Sequence, residues 1–217
     1  MQTYGFSELG TCPLEPSAIY LGGSGNGTIG EVLTKLVRSQ DGKVGVGNVG
    51  GFRTSGRGPL PRLVVLTSNK KNSDWPDEFD SERGVLTYFG DNKVGTEYRT
   101  TPRGGNQVLL ETYSALLNAS IHRVDLPIFF HFEKHGESKD WRFNGQFAPG
   151  SHLRPTSDWL SIVETESGII NLRATFQSLG TEMISREWLD DVLHERDRLE
   201  HATTEYRAWA TNQNTQS

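Results

Sequence analysis

Apolar residues in this chain come in short alternating or continuous stretches, and polar, glycine-rich segments separate them. Residues 17–21 read as a short strand, and residues 63–67 as a buried strand with Pro61 just ahead of it. Residues 84–89 predict a strand closed by Gly90 and Asp91, and residues 126–132 and 141–147 predict two more. A hairpin is expected from residues 159–163 and 169–175 through the Glu166-Ser-Gly168 turn. Helical spacing marks residues 29–38 and residues 107–118, where Val108, Leu109, Tyr113, Leu116 and Leu117 fall near one face. Short strands between glycine loops, with few helices, predict an α+β fold: a curved, barrel-like β-sheet with helices packed against it.

The pattern changes after residue 180. Ser185 is placed to cap a helix from Arg186 to about Arg198, with Trp188, Leu189, Val192 and Leu199 as its apolar stripe. Residues 211–217 carry no core-forming pattern and read as a disordered tail. The expected organisation is a domain over residues 1–180 followed by a helical arm over residues 181–217.

Composition narrows the classes. A chain of 217 residues can bury a real core, yet only 34% of it is apolar, so much must be loop and polar surface. The single Cys12 excludes a disulfide framework and a cysteine-rich zinc site. No apolar run approaches a membrane span and the first residues lack a signal-peptide pattern, so a soluble, cytoplasmic protein with no membrane partner is expected. The net charge of −5 hides an asymmetry: between residues 35 and 73, Lys35, Arg38, Lys43, Arg53, Arg57, Arg62, Lys70 and Lys71 face Asp41 alone. Between residues 181 and 205 acids dominate. The basic half is a candidate footprint for phosphates, against the plainer reading of solvated side chains.

Residues 74–92 set aromatics and carboxylates around a turn and a short apolar strand. A base removed from its stack needs π-faces on either side and matching acceptors on its edge. Trp75 and Tyr88 are candidates for the faces, and Asp77, Glu78 and Asp91 for the edge. A carboxylate accepts from the N4 amino group of cytosine and repels the O4 oxygen of thymine. The alternative is that Trp75 anchors a loop and Tyr88 packs in the core, as aromatics usually do.

Two other motifs compete. Gly25-Asn-Gly-Thr-Ile-Gly30 fits a dinucleotide-binding loop between a strand and a helix, but the acid expected at the end of a second apolar strand is missing. Asp125 with Glu137 and Lys139 has a tolerable spacing for a self-contained metal-dependent nuclease, yet the Glu-Ser-Lys segment reads as a turn rather than an apolar strand. His131 and His135 lack a third ligand and read as core or edge residues.

In order along the chain, Gly45-Val-Gly-Asn-Val-Gly-Gly-Phe-Arg53, Leu63-Val-Val-Leu66, Asp74-Trp-Pro-Asp77, Gly84-Val-Leu-Thr-Tyr-Phe-Gly-Asp-Asn92, Thr101-Pro-Arg-Gly-Gly-Asn106, Arg173-Ala-Thr-Phe176 and Ile184-Ser-Arg-Glu-Trp-Leu189 complete the picture. Together they resemble the N-terminal recognition domain of modification-dependent restriction endonucleases of the AspBHI type, over roughly residues 40–210. That domain is similar to the SRA fold, which flips 5-methylcytosine out of DNA. The resemblance implies a partner, double-stranded DNA with a modified cytosine, and no catalytic residue, metal or cofactor in this chain. It also implies a nuclease domain after the arm in a longer parent protein, where Mg²⁺ is expected; a second copy joined through the arm is a further candidate partner.

The expected mechanism follows from both lines. Arg57, Lys70, Lys71, Arg99 and Arg103 bind phosphates; Asn48 and Arg53 enter a groove or fill the gap left by the base; Asn106 adds an amide contact from its glycine loop. The edge-reading acid is left open. Its distance from the first aromatic points to Asp77 or Glu78 by the resemblance, while the Tyr-Phe-Gly-Asp sequence points to Asp91.

Overall fold

The computed structural model describes residues 1–25, 30–47, 50–69, 74–95 and 97–212. Among these residues the strands are β1 (Thr3–Tyr4), β2 (Ile19–Tyr20), β3 (Phe52–Ser55), β4 (Leu63–Ser68), β5 (Glu78–Asp80), β6 (Val85–Phe89), β7 (Ile128–Lys134), β8 (Trp141–Pro149), β9 (Leu160–Glu164) and β10 (Ile170–Ser178). The α-helices are α1 (Val32–Leu36), α2 (Gly105–Leu117), α3 (Arg186–Leu193) and α4 (Thr204–Thr211). One sheet runs β3-β4-β7-β8-β10-β6-β5, with β2 added beside β8 and β9 beside β10. β4 and β7 are parallel and buried on both faces, which is why each reads as a nearly continuous apolar run. The α+β class holds, but the sheet is open: β3 and β5 end the path without pairing with each other.

The two-residue period of the strands sorts side chains into two cores. Leu63 and Val65 of β4 and Phe130 and Phe132 of β7 join the first, which α1, α3 and α4 cover with Leu33, Trp188 and Tyr206. Val64, Leu66 and Phe129 join the second, which α2 covers with Val108, Leu109 and Tyr113. Ser68 is two residues beyond Leu66 and His131 two beyond Phe129, so both face the second core.

The C-terminal segment is not an arm. Ser185 caps α3 as expected, its hydroxyl accepting from the Trp188 N–H at 3.0 Å, but the helix ends at Leu193 and Glu195 then adopts a φ of 59°. Trp188, Leu189, Val192 and Leu193 are fully buried in the first core, and Tyr206 packs edge-on to Trp188 at 5.1 Å. Arg186 donates to the carbonyls of Leu36 and Arg38. The boundary expected at residue 180 therefore cuts a single core, because the apolar stripe of α3 buries against the sheet it was expected to leave. Residues 213–217 of the expected tail lie outside the described residues, and Thr211 closes α4. No helix among the described residues is long and apolar enough to cross a membrane.

Candidate functional site

A cavity of about 590 Å³ opens where β3, β6, the connection from β4 to β5 and the start of α2 meet at the edge of the second core. Arg53, Trp75, Asp77, Tyr88, Phe89, Asp91, Lys93 and Arg103 line it. That volume falls in the range of small-ligand sites. Residues far apart in sequence meet here because β6 crosses the sheet next to β5 and β10, while α2 begins beside the end of β6.

Tyr88 is a fixed wall. Its ring packs edge-on to Phe52 at 5.3 Å. Its hydroxyl lies 3.1 Å from the Gly51 carbonyl and 3.0 Å from that of Thr67, and it accepts from the Thr67 N–H at 3.2 Å. This network pins β6 to the glycine segment before β3 and to β4. Trp75 lies on the β4–β5 connection, largely buried, with its ring 5.7 Å from that of Phe89. Phe89 is an aromatic wall that sequence reasoning passed over; it sits next to Tyr88 in the alternating strand, where only one face was expected to matter.

The three candidate acids separate cleanly. Asp77 is mostly buried in the cavity wall, and burial pushes its pKa up to about 6 against the hydrogen bonds from the Phe89 N–H (2.9 Å) and the Ser68 hydroxyl (3.0 Å) and the charge of Lys93. Asp91 reaches the cavity but is committed elsewhere: its carboxylate accepts from the Thr101 hydroxyl and from the N–H groups of Gly105 and Asn106, both at 3.0 Å. Gly104, in the left-handed region at φ 71°, has no side chain to cap α2, and Asp91 does that work from outside the helix. Glu78 is exposed on β5 and lines a different cleft with Asp80 and Arg83. It does not line the cavity that holds Asp77.

Among the described residues, the basic side chains do not gather into the single footprint expected from their run in sequence. Lys35 donates to the Phe6 carbonyl at 2.6 Å, and Arg62 binds the Leu193 carbonyl at 2.6 Å and Glu195, so both are spent on internal contacts. Arg57 is exposed beyond the far end of β3 and does not line the cavity. Arg53 is buried and paired with Glu31 at 2.8 Å, which removes it as a group that could reach out of the fold; its Nε has no partner among the described residues. Arg103 is exposed at the cavity and lies across Gly50, where an added Cβ would come within 2.6 Å of its guanidinium. Arg99 stacks on Tyr98 at 4.6 Å and pairs with Glu97. Lys93, not foreseen from the sequence, adds a second exposed cation, and Val94 beside it is 76% exposed at the mouth.

Asn106 is fully buried: it accepts from the Asp91 N–H and donates to Tyr98 and Asn171, so its amide holds the end of β6 together and faces no ligand. Gly90 is obligatory there, because a Cβ would fall 1.8 Å from the Asn106 Oδ1. Asn48, Lys70 and Lys71 lie outside the described residues.

The rival motifs gain no support. Asp125 sits in a 3-10 turn before β7, and Glu137 is exposed in the β7–β8 turn, where the Lys139 ammonium donates to the Gly25 carbonyl. Among the described residues no group of His, Cys, Asp and Glu is arranged to hold a metal ion. Residues 26–29 of the glycine loop are outside the described residues.

Residues 15–217 match the family model described as restriction endonuclease AspBHI N-terminal. Among solved structures, the DNA recognition domain of the cytosine modification-dependent restriction endonuclease LpnPI is 31% identical, with a TM-score of 0.79 over 91% of this chain and 88% of that one. The DNA modification-dependent restriction endonuclease AspBHI is 30% identical, with a TM-score of 0.86 over 97% of this chain and 53% of that one. The MspJI restriction endonuclease in complex with a 27-mer oligonucleotide, at 20% identity and a TM-score of 0.65 over 91% of this chain and 51% of that one, shares the fold. No curated protein matches the chain.

Proposed function

Because this chain belongs to the family of restriction endonuclease AspBHI N-terminal domains, we propose that it reads DNA carrying 5-methylcytosine and takes the modified base out of the helix into the cavity. The observation that carries this reading is the meeting of Trp75, Tyr88, Phe89 and the buried acceptor Asp77 around one space large enough for a nucleotide. Trp75 and Phe89 supply π-surface, Tyr88 a rigid wall, and Asp77 accepts from N4 of the base. Asp91 holds α2 in place and does not read the base. Arg103, Lys93 and Arg99 bind phosphates and set the register. Val94, exposed and apolar at the mouth, fills the space left in the stack, as apolar wedges do at opened base steps.

The 5-methyl group is a small handle. Burying one methyl is worth on the order of 1 kcal/mol, so preference over unmodified cytosine is about tenfold or less from burial alone. 5-Hydroxymethylcytosine presents the same base edge with one more oxygen at C5, and the cavity admits it only if the wall near C5 leaves room for that oxygen.

This chain spans 53% of the AspBHI chain that it matches. A nuclease domain using Mg²⁺ in a longer cytoplasmic parent protein is part of the proposal, with this chain as the non-catalytic reader. The test is binding of this chain to paired duplexes that differ only in methylation of one cytosine, with and without Mg²⁺. Tighter binding to the methylated duplex without cleavage supports the reading; equal binding to both, or cleavage by this chain, overturns it.

A further inference from the structure

We propose that Ser68, His131 and Asn144 form a positioning relay that keeps Asp77 a hydrogen-bond acceptor toward the cavity and so sets the preference for an amino-bearing base over a keto-bearing one. This rests on the reading of the cavity as a base pocket. The relay is a continuous chain: the Asn144 Nδ2 lies 3.0 Å from the His131 Nδ1, the His131 Nε2 lies 2.9 Å from the Ser68 Oγ, and the Ser68 Oγ lies 3.0 Å from the Asp77 Oδ2.

The proton positions follow from chemistry. An ionised carboxylate only accepts, so the Ser68 hydroxyl must donate to Asp77, and its remaining lone pair faces His131. His131 then carries its proton on Nε2, and its Nδ1 accepts from the Asn144 amide. A neutral imidazole has one donor and one acceptor, and both are used. His131 is 1% exposed and is enclosed by the rings of Phe79, Tyr88 and Phe147 at 5.9 to 6.3 Å. That burial holds its pKa down to about 3 and the ring neutral. All three donors therefore point the same way, toward the carboxylate.

Two features argue that the chain serves the cavity and not the core alone. A phenylalanine would fill the His131 site without burying polar atoms, and burying them costs stability unless each is paired. The pairing register also shifts where the partner is supplied: β7 and β8 pair His131 with Gly145 and Phe132 with Phe143, which leaves Asn144 as an extra residue. Such bulges re-aim side chains next to functional sites. The far end of the chain is the acid in the cavity wall, whose other oxygen is held by the Phe89 N–H at 2.9 Å. Each carboxylate oxygen keeps a lone pair for a ligand.

The groups facing Asp77 are Ser68 from β4, the Phe89 N–H and Tyr88 from β6 and Lys93 from the loop beyond it, with His131 of β7 behind Ser68 and Arg53, Asp91 and Arg103 on the same cavity wall. The test follows the Asp77 carboxyl by ¹³C NMR across pH in the free protein, which needs no DNA. The wild type should titrate near the value of about 6. Ser68→Ala removes a donor to the ionised form and should move the midpoint about one pH unit higher. Ser68→Thr keeps the hydroxyl and should return it, and His131→Phe should raise it by less than Ser68→Ala. If Ser68→Ala loses its native spectrum, Ser68→Cys, with a weaker donor of similar size, replaces it.

In DNA binding at pH 6.5, the preference for methylcytosine over thymine at the target position should fall about threefold in Ser68→Ala, while the preference over plain cytosine stays unchanged, since both bases carry N4. An Asp77 midpoint equal in Ser68→Ala and wild type, or a rise that Ser68→Thr fails to reverse, overturns the relay. A wild type that does not prefer methylated DNA sinks the base-pocket reading instead, and the titration of the free protein still decides the relay.

Discussion

The Asp77 carboxylate accepts a hydrogen bond from the backbone N–H of Phe89 at 2.9 Å, which locks an acid from the β4–β5 connection onto the strand that carries Tyr88. The acid is held in place yet poorly solvated, and its pKa is pushed up to about 6. Since this is above the value in the unfolded chain, the stability it contributes is present below about pH 4 and is lost as pH rises through about 6. Asp77→Asn should then stabilise the free protein at pH 8, by on the order of 3 kcal/mol at most, while narrowing the preference for methylcytosine over thymine. Urea unfolding at pH 4 and pH 8, set beside the binding ratio, checks both halves; a variant less stable at pH 8 would contradict the account.

Asp91→Ala should do the opposite. It strips the cap from α2 and the acceptor from Thr101, so it should cost about 1–2 kcal/mol of stability and leave the base preference of the folded fraction unchanged. Thermal unfolding together with competition binding distinguishes this from a role in base reading.

The two aromatics should also part company. Trp75→Ala should weaken binding to methylated DNA by roughly 1–3 kcal/mol through the lost stacking surface. Tyr88→Phe keeps the ring but frees the Gly51 and Thr67 groups that its hydroxyl joins, so its cost of about 1–3 kcal/mol should fall on stability. Titrations of both variants at one temperature, with matched unfolding curves, read the difference.

Salt dependence should report the smaller footprint. With Lys35 and Arg62 spent internally and Arg53 paired with Glu31, the three exposed cations assigned to phosphates (Lys93, Arg99 and Arg103) predict a fall in affinity of about 40-fold between roughly 50 and 200 mM salt. Arg103→Ala should weaken methylated and unmodified DNA alike. A fall near 10³-fold would call for about six contacts and bring other cations back into the interface.

Much of this was legible in the chain because it depended on local pattern. The apolar runs of β4 and β7, the alternation of β6 and the Ser185 cap of α3 are signals within a few residues of one another, and they landed within a few residues of their expected bounds. β3 and β5 were missed since each is only a few residues long and is defined by its neighbour in the sheet. The fate of the charges was invisible for the same reason: Arg53 meets Glu31, and Arg62 meets Glu195, only after folding. α3 and α4 read as an arm because an amphipathic stripe states that a helix will pack, without stating against what. Ser68 belongs to no motif, and His131 reads only as half of an incomplete ligand pair with His135, and so as a core or edge residue. Their one clue was polarity at core-facing positions of apolar strands, a buried-polar pattern that calls for a partner.

The most direct measurement is the fluorescence of 2-aminopurine placed next to a single 5-methylcytosine in a duplex. Removal of the neighbouring base from the stack should make it brighten as the wild-type complex forms, in step with the mobility shift, and brighten less with Trp75→Ala. Fluorescence that stays constant while the complex forms would mean that the base is read inside the helix, and the cavity would then have no part in recognition.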